Sequence, residues 1–125
     1  MTMGEIRSFQ DLRTWQESHA LVNEIYRVTK TWPIEERYGL TAQIKRASIS
    51  IPSNIAEGMG RGSVKDLIRF LIQARGSIQE VLSQLLLAQD LGYLSKDDHH
   101  ELNHRYNGLA IGMNSHIGQL SKHVP

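Results

Sequence analysis

The chain has 125 residues, a net charge of +1, 40% hydrophobic residues and 22% charged residues. This composition is ordinary for a soluble globular protein. It excludes a disordered or membrane-spanning chain, because no apolar run approaches the roughly 18 residues that a membrane-spanning helix needs. The chain has no cysteine, which excludes disulfides, cysteine nucleophiles and thiolate metal sites. We expect a single domain over residues 1–125.

The N-terminal residues predict where the protein is located. They lack the apolar core of a signal peptide and include the acidic residues Glu5 and Asp11. Nothing in them directs export, so we expect a cytoplasmic protein that does not associate with a membrane.

Helical periodicity predicts the first helix over residues 11–31. His19 lies on its apolar side, which favours a hydrogen-bonded core residue over a metal ligand. Pro33 then prevents a simple continuation of the helix. The apolar side recurs at steps of three and four, at Leu12, Trp15, His19, Val22, Tyr26 and Thr29, with Leu21, Ile25 and Val28 beside them.

The second helix is predicted over residues 35–58, through the stretch "SISIPSNIAEG". Strand-like alternation covers only Ser48 to Ile51, so a strand explains less of this stretch than a helix does. We expect Pro52 to remove one backbone hydrogen bond and to kink the helix. A helical stripe runs through the whole stretch at Leu40, Ile44, Ala47, Ile51 and Ile55.

The glycine-rich stretch "GMGRGS" after this helix predicts a connection between two helices. A phosphate-binding loop is excluded by context, because a dinucleotide fingerprint needs a preceding strand and a P-loop needs a Gly-Lys-Ser/Thr ending. Here a helix precedes the glycines, and the stretch ends in Arg-Gly-Ser.

A helical wheel of the second helix gives a polar stripe about 80° wide. We expect Glu57 to pair with Arg46 or Arg61, and Asn54 to bond to backbone or to a neighbouring chain. One interpretation is a network that fixes helix packing or subunit register, and the other is a site for a polyanion or a partner peptide. The stripe consists of Gln43, Arg46, Ser50, Asn54, Glu57 and Arg61. On the far side, Ile49, Pro52 and Ala56 form a second apolar surface, which indicates self-association.

The third and fourth helices are predicted over residues 64–91 and 96–122. Ser63 and Ser95 are expected N-caps, with Asp66 and Asp98 in capping-box position. Gly92 ends the third helix, while Gly76 inside it indicates the close approach of another helix. The third helix has a heptad pattern at Leu67, Leu71, Ala74, Ile78, Val81, Leu85 and Ala88. The fourth has apolar positions at Leu102, Tyr106, Leu109, Met113, His116 and Leu120. Four amphipathic helices with short connections predict an all-α, antiparallel up-and-down four-helix bundle.

Charge is distributed unevenly along the chain. From Arg37 to Arg75 there are seven basic and two acidic residues, whereas from Gly76 to His104 there are five acidic residues and one basic residue. Such asymmetry is typical of a polyanion-binding face, although two solvated helix surfaces also produce it. The candidate nucleic-acid-binding residues are Lys45, Arg46, Arg61, Lys65, Arg69 and Arg75.

Catalysis and metal binding find little support in the sequence. The candidate carboxylates have no obvious catalytic partner, and no serine or threonine lies in a nucleophile motif, so we expect neither an enzyme nor a cofactor. His100 and His104 lie four residues apart with Asp97 and Glu101 nearby, which resembles part of a divalent metal site. Acidic residues and solvated histidines are also ordinary at the start of a helix, and we expect no metal there.

Several motifs resemble those of a known family: Phe9, Asp11, Leu12 and Trp15; then "YGLTAQIKRASISIPSNIAEGMGR"; then Phe70 and Leu71 followed by "ARGSIQE". They resemble the small four-helix-bundle proteins encoded in intervening sequences of bacterial 23S ribosomal RNA genes. The resemblance extends from about Phe9 to Leu94, and beyond Ser95 the chain departs from the pattern. It implies a homopentameric ring of four-helix bundles without established enzymatic activity.

The chain is also similar to the accessory protein of diversity-generating retroelements, a basic pentamer that works with a reverse transcriptase and nucleic acid. This similarity implies that RNA or DNA and a nucleic-acid-processing protein are partners. Two hypotheses follow. In the first, the chain is an oligomeric accessory protein that binds nucleic acid through its basic residues. In the second, it is a ring-shaped scaffold for protein partners, whose arginines are paired with acidic helices of neighbouring subunits and which binds no nucleic acid.

Overall fold

The structure, a computed structural model, describes residues 8–125. Those residues form an all-α fold with four helices and no strand. Glu5, on which the expectation about export depends, lies outside them. The helices are α1 (Arg13–Thr29), α2 (Leu40–Gly60), α3 (Val64–Asp90) and α4 (Lys96–Ser121), and single 3₁₀ turns occur at Phe9–Asp11 and Ile34–Glu36. Within residues 8–125, each helix is too short or too polar to span a lipid bilayer.

The four helices surround one hydrophobic core. Helix α2 packs against both α1 and α3, and α4 packs against both α3 and α1. Among the described residues, the diagonal pairs α1/α3 and α2/α4 have no Cα atoms within 8 Å of each other. This arrangement is a four-helix bundle in which every helix contributes fully buried side chains, among them Leu21, Ile25, Ile44, Ile51, Leu71, Ile78, Leu85, Leu102, Tyr106 and Met113.

The predicted heptad of α3 is confirmed, since all seven of its residues are buried. The predicted apolar side of α1 is confirmed in part: Leu12 and Thr29 are buried, as are the neighbouring Leu21, Ile25 and Val28, whereas His19 and Tyr26 are exposed. His19 is exposed and stacks on the indole of Trp15, with ring centroids 4.6 Å apart, so it is not a core residue. The core instead receives the side that contains Ser18, whose hydroxyl donates to the carbonyl of Trp15 at 3.0 Å. This bond satisfies the buried hydroxyl, which allows a polar residue to occupy a core position.

The predicted N-caps of α3 and α4 are confirmed. Ser63 Oγ accepts a hydrogen bond from the backbone N–H of Asp66 at 3.1 Å, and Ser95 accepts the equivalent bond from Asp98. The Asp66 carboxylate, however, pairs with Arg69 at 3.1 Å rather than completing a reciprocal capping box. Each cap satisfies one backbone donor in the first helical turn and so fixes where the helix begins.

Helix α2 begins later than residue 35. The Glu36 carboxylate accepts a hydrogen bond from the N–H of Leu40 at 3.1 Å and so caps α2 from within the preceding 3₁₀ turn. The helix then continues through the buried Pro52, as predicted; the kink there stays a prediction. Because Pro52 is buried and Ala56 partly buried, most of the second apolar surface of α2 is covered within the chain. That surface therefore gives less support to self-association than the sequence suggests.

The glycines around α2 and α3 have different roles. Gly58 and Gly60 lie inside α2 rather than in the connection, whereas Gly62 has a φ of +81°, a left-handed conformation that favours glycine. Gly92 has the same φ and ends α3 as predicted. For Gly76, the expected close approach of another helix is wrong within residues 8–125, because a Cβ there meets no atom within 4 Å.

Gly58 allows α2 to lie directly against α3. A Cβ at this position lies 2.8 Å from Phe70 Cβ and 3.1 Å from Leu67 Cδ1. Since a Cβ cannot be accommodated at such distances without movement of α3, we expect Gly58→Ala to lower the free energy of unfolding by about 1–3 kcal/mol in urea titrations followed by circular dichroism.

The matched control is Gly60→Ala, two residues further along α2, where an added Cβ meets no atom within 4 Å. We expect this variant to be unchanged or up to about 1 kcal/mol more stable, because alanine has the higher helix propensity. Equal destabilisation by both substitutions would show that steric contact at Gly58 is not the cause.

Candidate polyanion-binding surface

Three of the six predicted basic residues lie at the connection between α2 and α3. Arg61 caps the end of α2, and Lys65 and Arg69 lie in the first two turns of α3. We call these three residues the basic turn. The other predicted residues lie elsewhere. Lys45 contacts α1, with its Nζ 4.5 Å from the ring centroid of Tyr26.

Arg75 and Arg46 are also separate from the basic turn. Arg75 donates to Asn114 Oδ1 on α4 at 3.2 Å. Arg46 is exposed, and among residues 8–125 its side chain has no hydrogen-bond or ion-pair partner. The six predicted residues therefore do not form one continuous patch in a single chain.

The aromatic ring of Phe70 holds the two arginines of the basic turn in place. Their Cζ atoms lie 5.2 Å (Arg61) and 5.1 Å (Arg69) from the ring centroid. Phe70 is buried beside the main hydrophobic cluster, and the two arginines lie over its ring. Stacking of guanidinium groups on an aromatic face restricts their rotamers and leaves their N–H edges available to an acceptor.

Both arginines also form ion pairs within their own helical segments. Arg61 pairs with Glu57 at 3.0 Å, and Arg69 pairs with Asp66 at 3.1 Å. All four side chains are well exposed, and exposed pairs of this kind contribute little stability. Lys65 is exposed and has no partner among the described residues. The basic turn thus offers an incoming phosphate one unpaired ammonium group and two guanidinium groups that are weakly paired.

The polar stripe of α2 is mostly satisfied by its own helix. Asn54 Nδ2 donates to the carbonyl of Ser50 at 2.8 Å, and Ser50 Oγ donates to the carbonyl of Ala47 at 2.7 Å. Of its two predicted partners, Glu57 pairs with Arg61, because a spacing of four residues places the two side chains on the same helix face. Gln43, like Arg46, is exposed and has no partner among residues 8–125.

The histidine-rich start of α4 does not bring enough ligand side chains together for a metal site among the described residues. His100 and His104 are both exposed. Among residues 8–125, no three His, Cys, Asp or Glu side chains are close enough together to hold a metal ion.

Sequence reasoning missed a groove of about 1150 Å³ between the beginning of α1 and the second half of α4. An ion pair between Glu17 and Arg105 crosses it at 3.1 Å. Thr14 lines the groove, and its Oγ1 is buried without a hydrogen-bond partner in the part of the chain described. Gly108 and Gly112 line the α4 side of the groove. Because glycine has no side chain, these two residues leave a shallow helix face, and they are the sequence signal by which the groove could have been found.

Comparisons with known proteins place the chain in context. The family model described as 23S rRNA-intervening sequence protein matches residues 10–115. Among solved structures, the chain is similar to a protein of unknown function from the S23 ribosomal protein family of Bacteroides thetaiotaomicron. The two are 23% identical, with a TM-score of 0.77 over 84% of this chain and 95% of that one, a likeness that shows the fold. No curated protein matches the chain.

The groove residue His116 makes folding stability depend on pH. Burial lowers the pKa of His116 below its ordinary value. Protonation therefore favours the unfolded chain, where the imidazolium is hydrated, and stability is lost as the pH falls through and below the unfolded-state pKa of about 6.5. We expect His116→Gln to lose less stability than the wild type between about pH 7 and pH 5 in urea titrations. Parallel pH profiles for the two proteins would contradict this expectation.

Proposed function

Because the chain belongs to the 23S rRNA-intervening sequence protein family, we propose that it is a non-enzymatic, homo-oligomeric accessory protein that associates with RNA or DNA. The observation that carries the proposal is the basic turn, where two guanidinium groups stack on Phe70 and the exposed Lys65 lies one helical turn before Arg69. Arginine and lysine contacts to phosphates provide most of the sequence-independent affinity of proteins for nucleic acids.

The geometry of the basic turn favours phosphate over a carboxylate side chain on a partner protein. Arg61 and Arg69 are already paired with the carboxylates of Glu57 and Asp66. A further carboxylate gains little by replacing them, whereas a phosphate has more acceptor oxygens and a nucleic acid presents many phosphates in sequence. Few aromatic residues accompany the cluster, and Phe70 is buried, so base stacking does not contribute.

One basic turn is a modest site, and repetition strengthens it. We propose that the chain forms the homopentameric ring that the family resemblance implies, with each bundle antiparallel and up-and-down. Support for the topology comes from the three-residue connection 61–63 together with the packing of α2 against α3, a combination typical of antiparallel neighbouring helices. A ring presents five basic turns to one polyanion, and the contacts add because the sites are linked.

The same proposal includes a cytoplasmic location and a partner protein that processes nucleic acid. The chain supplies no catalytic chemistry or cofactor in this role. Its contribution is to bind and position, and the reaction belongs to the partner.

A scaffold that binds only protein is the alternative function. It is favoured by the exposed apolar residues on the outer side of α3, Ile72 and Leu86, which are available to a partner surface. The feature that we expect of a scaffold, arginines paired with acidic residues of neighbouring subunits, is less well supported. Arg61 and Arg69 find their carboxylates within the same chain, three or four residues away.

Fluorescence anisotropy with short single- and double-stranded RNA and DNA tests the proposed function. We expect binding at about 50 mM salt that weakens steeply by about 200 mM, because phosphate contacts release counterions. We expect Lys65→Glu to weaken binding about tenfold or more at the lower salt and to reduce the slope of log affinity against log salt.

Lys96→Glu is the matched control. It produces the same change in net charge at an exposed residue that begins α4, away from the basic turn. We expect it to bind almost as the wild type does. No binding at low salt would overturn the nucleic-acid proposal in favour of the scaffold, and equal weakening by both variants would show that net charge alone matters.

Arg46→Glu separates the two interpretations of the polar stripe. Because Arg46 has no partner within residues 8–125, we expect its substitution to leave the monomer folded. A polyanion role gives intact assembly with weaker RNA binding, whereas a register role gives loss of assembly in light scattering. We expect the first outcome.

A further inference from the structure

The α1–α4 groove exists because α1 is shorter than the helix beside it. Helix α1 has 17 residues, whereas α4 has 26. The two helices are close at the beginning of α1, where a Cβ added at Gly112 would lie 3.9 Å from Thr14 Cγ2. Helix α4 continues from there to Ser121, and among residues 8–125 no Cα atom of the 3₁₀ turn Phe9–Asp11 lies within 8 Å of it. The final turns of α4 therefore lack a neighbouring helix on the α1 side.

The α4 side of the groove has the shape that a helix requires. Its lining residues recur at steps of three and four and extend over roughly 29 Å, since each helical residue adds about 1.5 Å. The glycine and serine among them allow the backbone of another helix to approach closely. No strand occurs among residues 8–125 with which an extended peptide could pair. The residues on this side are His104, Gly108, Gly112, Ser115, Gln119 and His123.

Apolar side chains also line the groove. Leu12, Leu109 and Leu120 are buried, whereas Ile111 is 71% exposed. Covering Ile111 with another apolar side chain is favourable, because it removes apolar surface from water. A helix with one apolar face meets this requirement together with the shape of the groove.

The charges in the groove distinguish between possible occupants. Both carboxylates of the lining are already engaged: Glu17 pairs with Arg105 at 3.1 Å, and Asp11 accepts a hydrogen bond from the Ser8 N–H at 3.1 Å. The guanidinium of Arg13 is exposed and has no partner among residues 8–125. A single carboxylate on the occupant complements Arg13, whereas a polyanion would meet the carboxylates of Glu17 and Asp11 as well.

The first turn of α1 adds to the preference for a carboxylate. Its N-cap is Leu12, which provides no side-chain acceptor, and the first turn contains no acidic residue. The positive end of the helix dipole is therefore not compensated by the helix itself. The Thr14 hydroxyl, buried without a hydrogen-bond partner in the described part of the chain, supplies a further donor beside Arg13.

We propose that the α1–α4 groove binds an acidic amphipathic helix of a partner protein. The apolar face of this helix covers Ile111, and one of its carboxylates pairs with Arg13. The inference rests on the partner protein of the proposed function and names the surface that this partner occupies. Because the basic turn lies at the connection between α2 and α3, nucleic acid and partner bind to different residues of the chain.

Model helices test this assignment with the intact protein. Three stapled peptides of about 18 residues are compared by fluorescence anisotropy in about 150 mM salt. The first has leucines along one face and glutamates beside them, the second has lysines in place of the glutamates, and the third has the composition of the first with its leucines scattered around the helix. We expect the first peptide to bind with a Kd of about 100 μM or below, and the other two to bind at least about tenfold more weakly.

Gly108→Leu fills the groove, and Gly118→Leu is its matched control. Both glycines are exposed on α4, and an added Cβ meets no atom within 4 Å at either, but only Gly108 lines the groove. We expect Gly108→Leu to weaken binding of the acidic helix about tenfold or more, and Gly118→Leu to bind as the wild type does. Arg13→Glu should reverse the preference, so that the lysine peptide binds more tightly than the glutamate peptide.

A fluorescent label shows where the helix binds. Because the chain has no cysteine, Ser115→Cys and Ser83→Cys each create one site for an environment-sensitive dye. Both serines are exposed, Ser115 in the groove and Ser83 on α3. We expect the acidic helix to shift the emission of the dye to shorter wavelength at residue 115 and to leave it unchanged at residue 83. Equal shifts at both positions would contradict binding in the groove.

The remaining outcomes separate this inference from the proposed function. Absence of binding by the acidic helix, or equal binding by wild type and Gly108→Leu, overturns the groove as the partner site, while RNA anisotropy still judges the proposed function. A changed oligomeric mass of Gly108→Leu in light scattering would assign the groove to a second copy of the chain, and weaker RNA binding by this variant would assign it to nucleic acid. Either result overturns the inference. Binding of the acidic helix by a protein that binds no RNA or DNA supports the groove and overturns the nucleic-acid proposal alone.

Discussion

The close contact between α2 and α3 is the constraint on which the rest of the structure depends. Only three residues connect these helices, and Gly58 lets the end of α2 lie against Phe70 and Leu67 without an intervening side chain. The contact fixes the position of Phe70 relative to Arg61, which is how residues from two segments come to share one ring. The charged surface is thus a result of helix packing rather than an addition to it.

Much of the fold was predictable because it follows from local rules. Helix α3 has apolar residues at heptad spacing over almost its whole length, so its core side is unambiguous. Helix α1 has apolar and aromatic residues around more of its circumference, so periodicity identifies a helix but not its buried side. Ser18 and His19 show the limit: the serine satisfies its hydroxyl locally and is buried, while the histidine stacks on Trp15 at the surface.

The candidate site was predictable to a similar degree. The pair Glu57–Arg61 follows from a four-residue step on one helix, and the sequence alone was enough to propose it. The contacts of Lys45 with Tyr26 and of Arg75 with Asn114 cross between helices and depend on the relative rotation of those helices. Periodicity does not determine that rotation. The same reason explains why six basic residues close in sequence do not form one patch, and why the α1–α4 groove was missed.

The position of Phe70 beneath two guanidinium groups connects the charged surface to the packing of the helices. Its Cβ belongs to the contact that joins α2 to α3 at Gly58, and its ring supports the two guanidinium groups of the charged surface. A ligand that fixes both guanidinium groups over the ring also favours the joined state of the two helices, so by mass action it raises the melting temperature further as its free concentration increases relative to its Kd. Conversely, changes in the packing under Phe70 alter affinity without touching any ligand-contacting atom. For such a ligand, affinity and thermal stability are therefore coupled quantities.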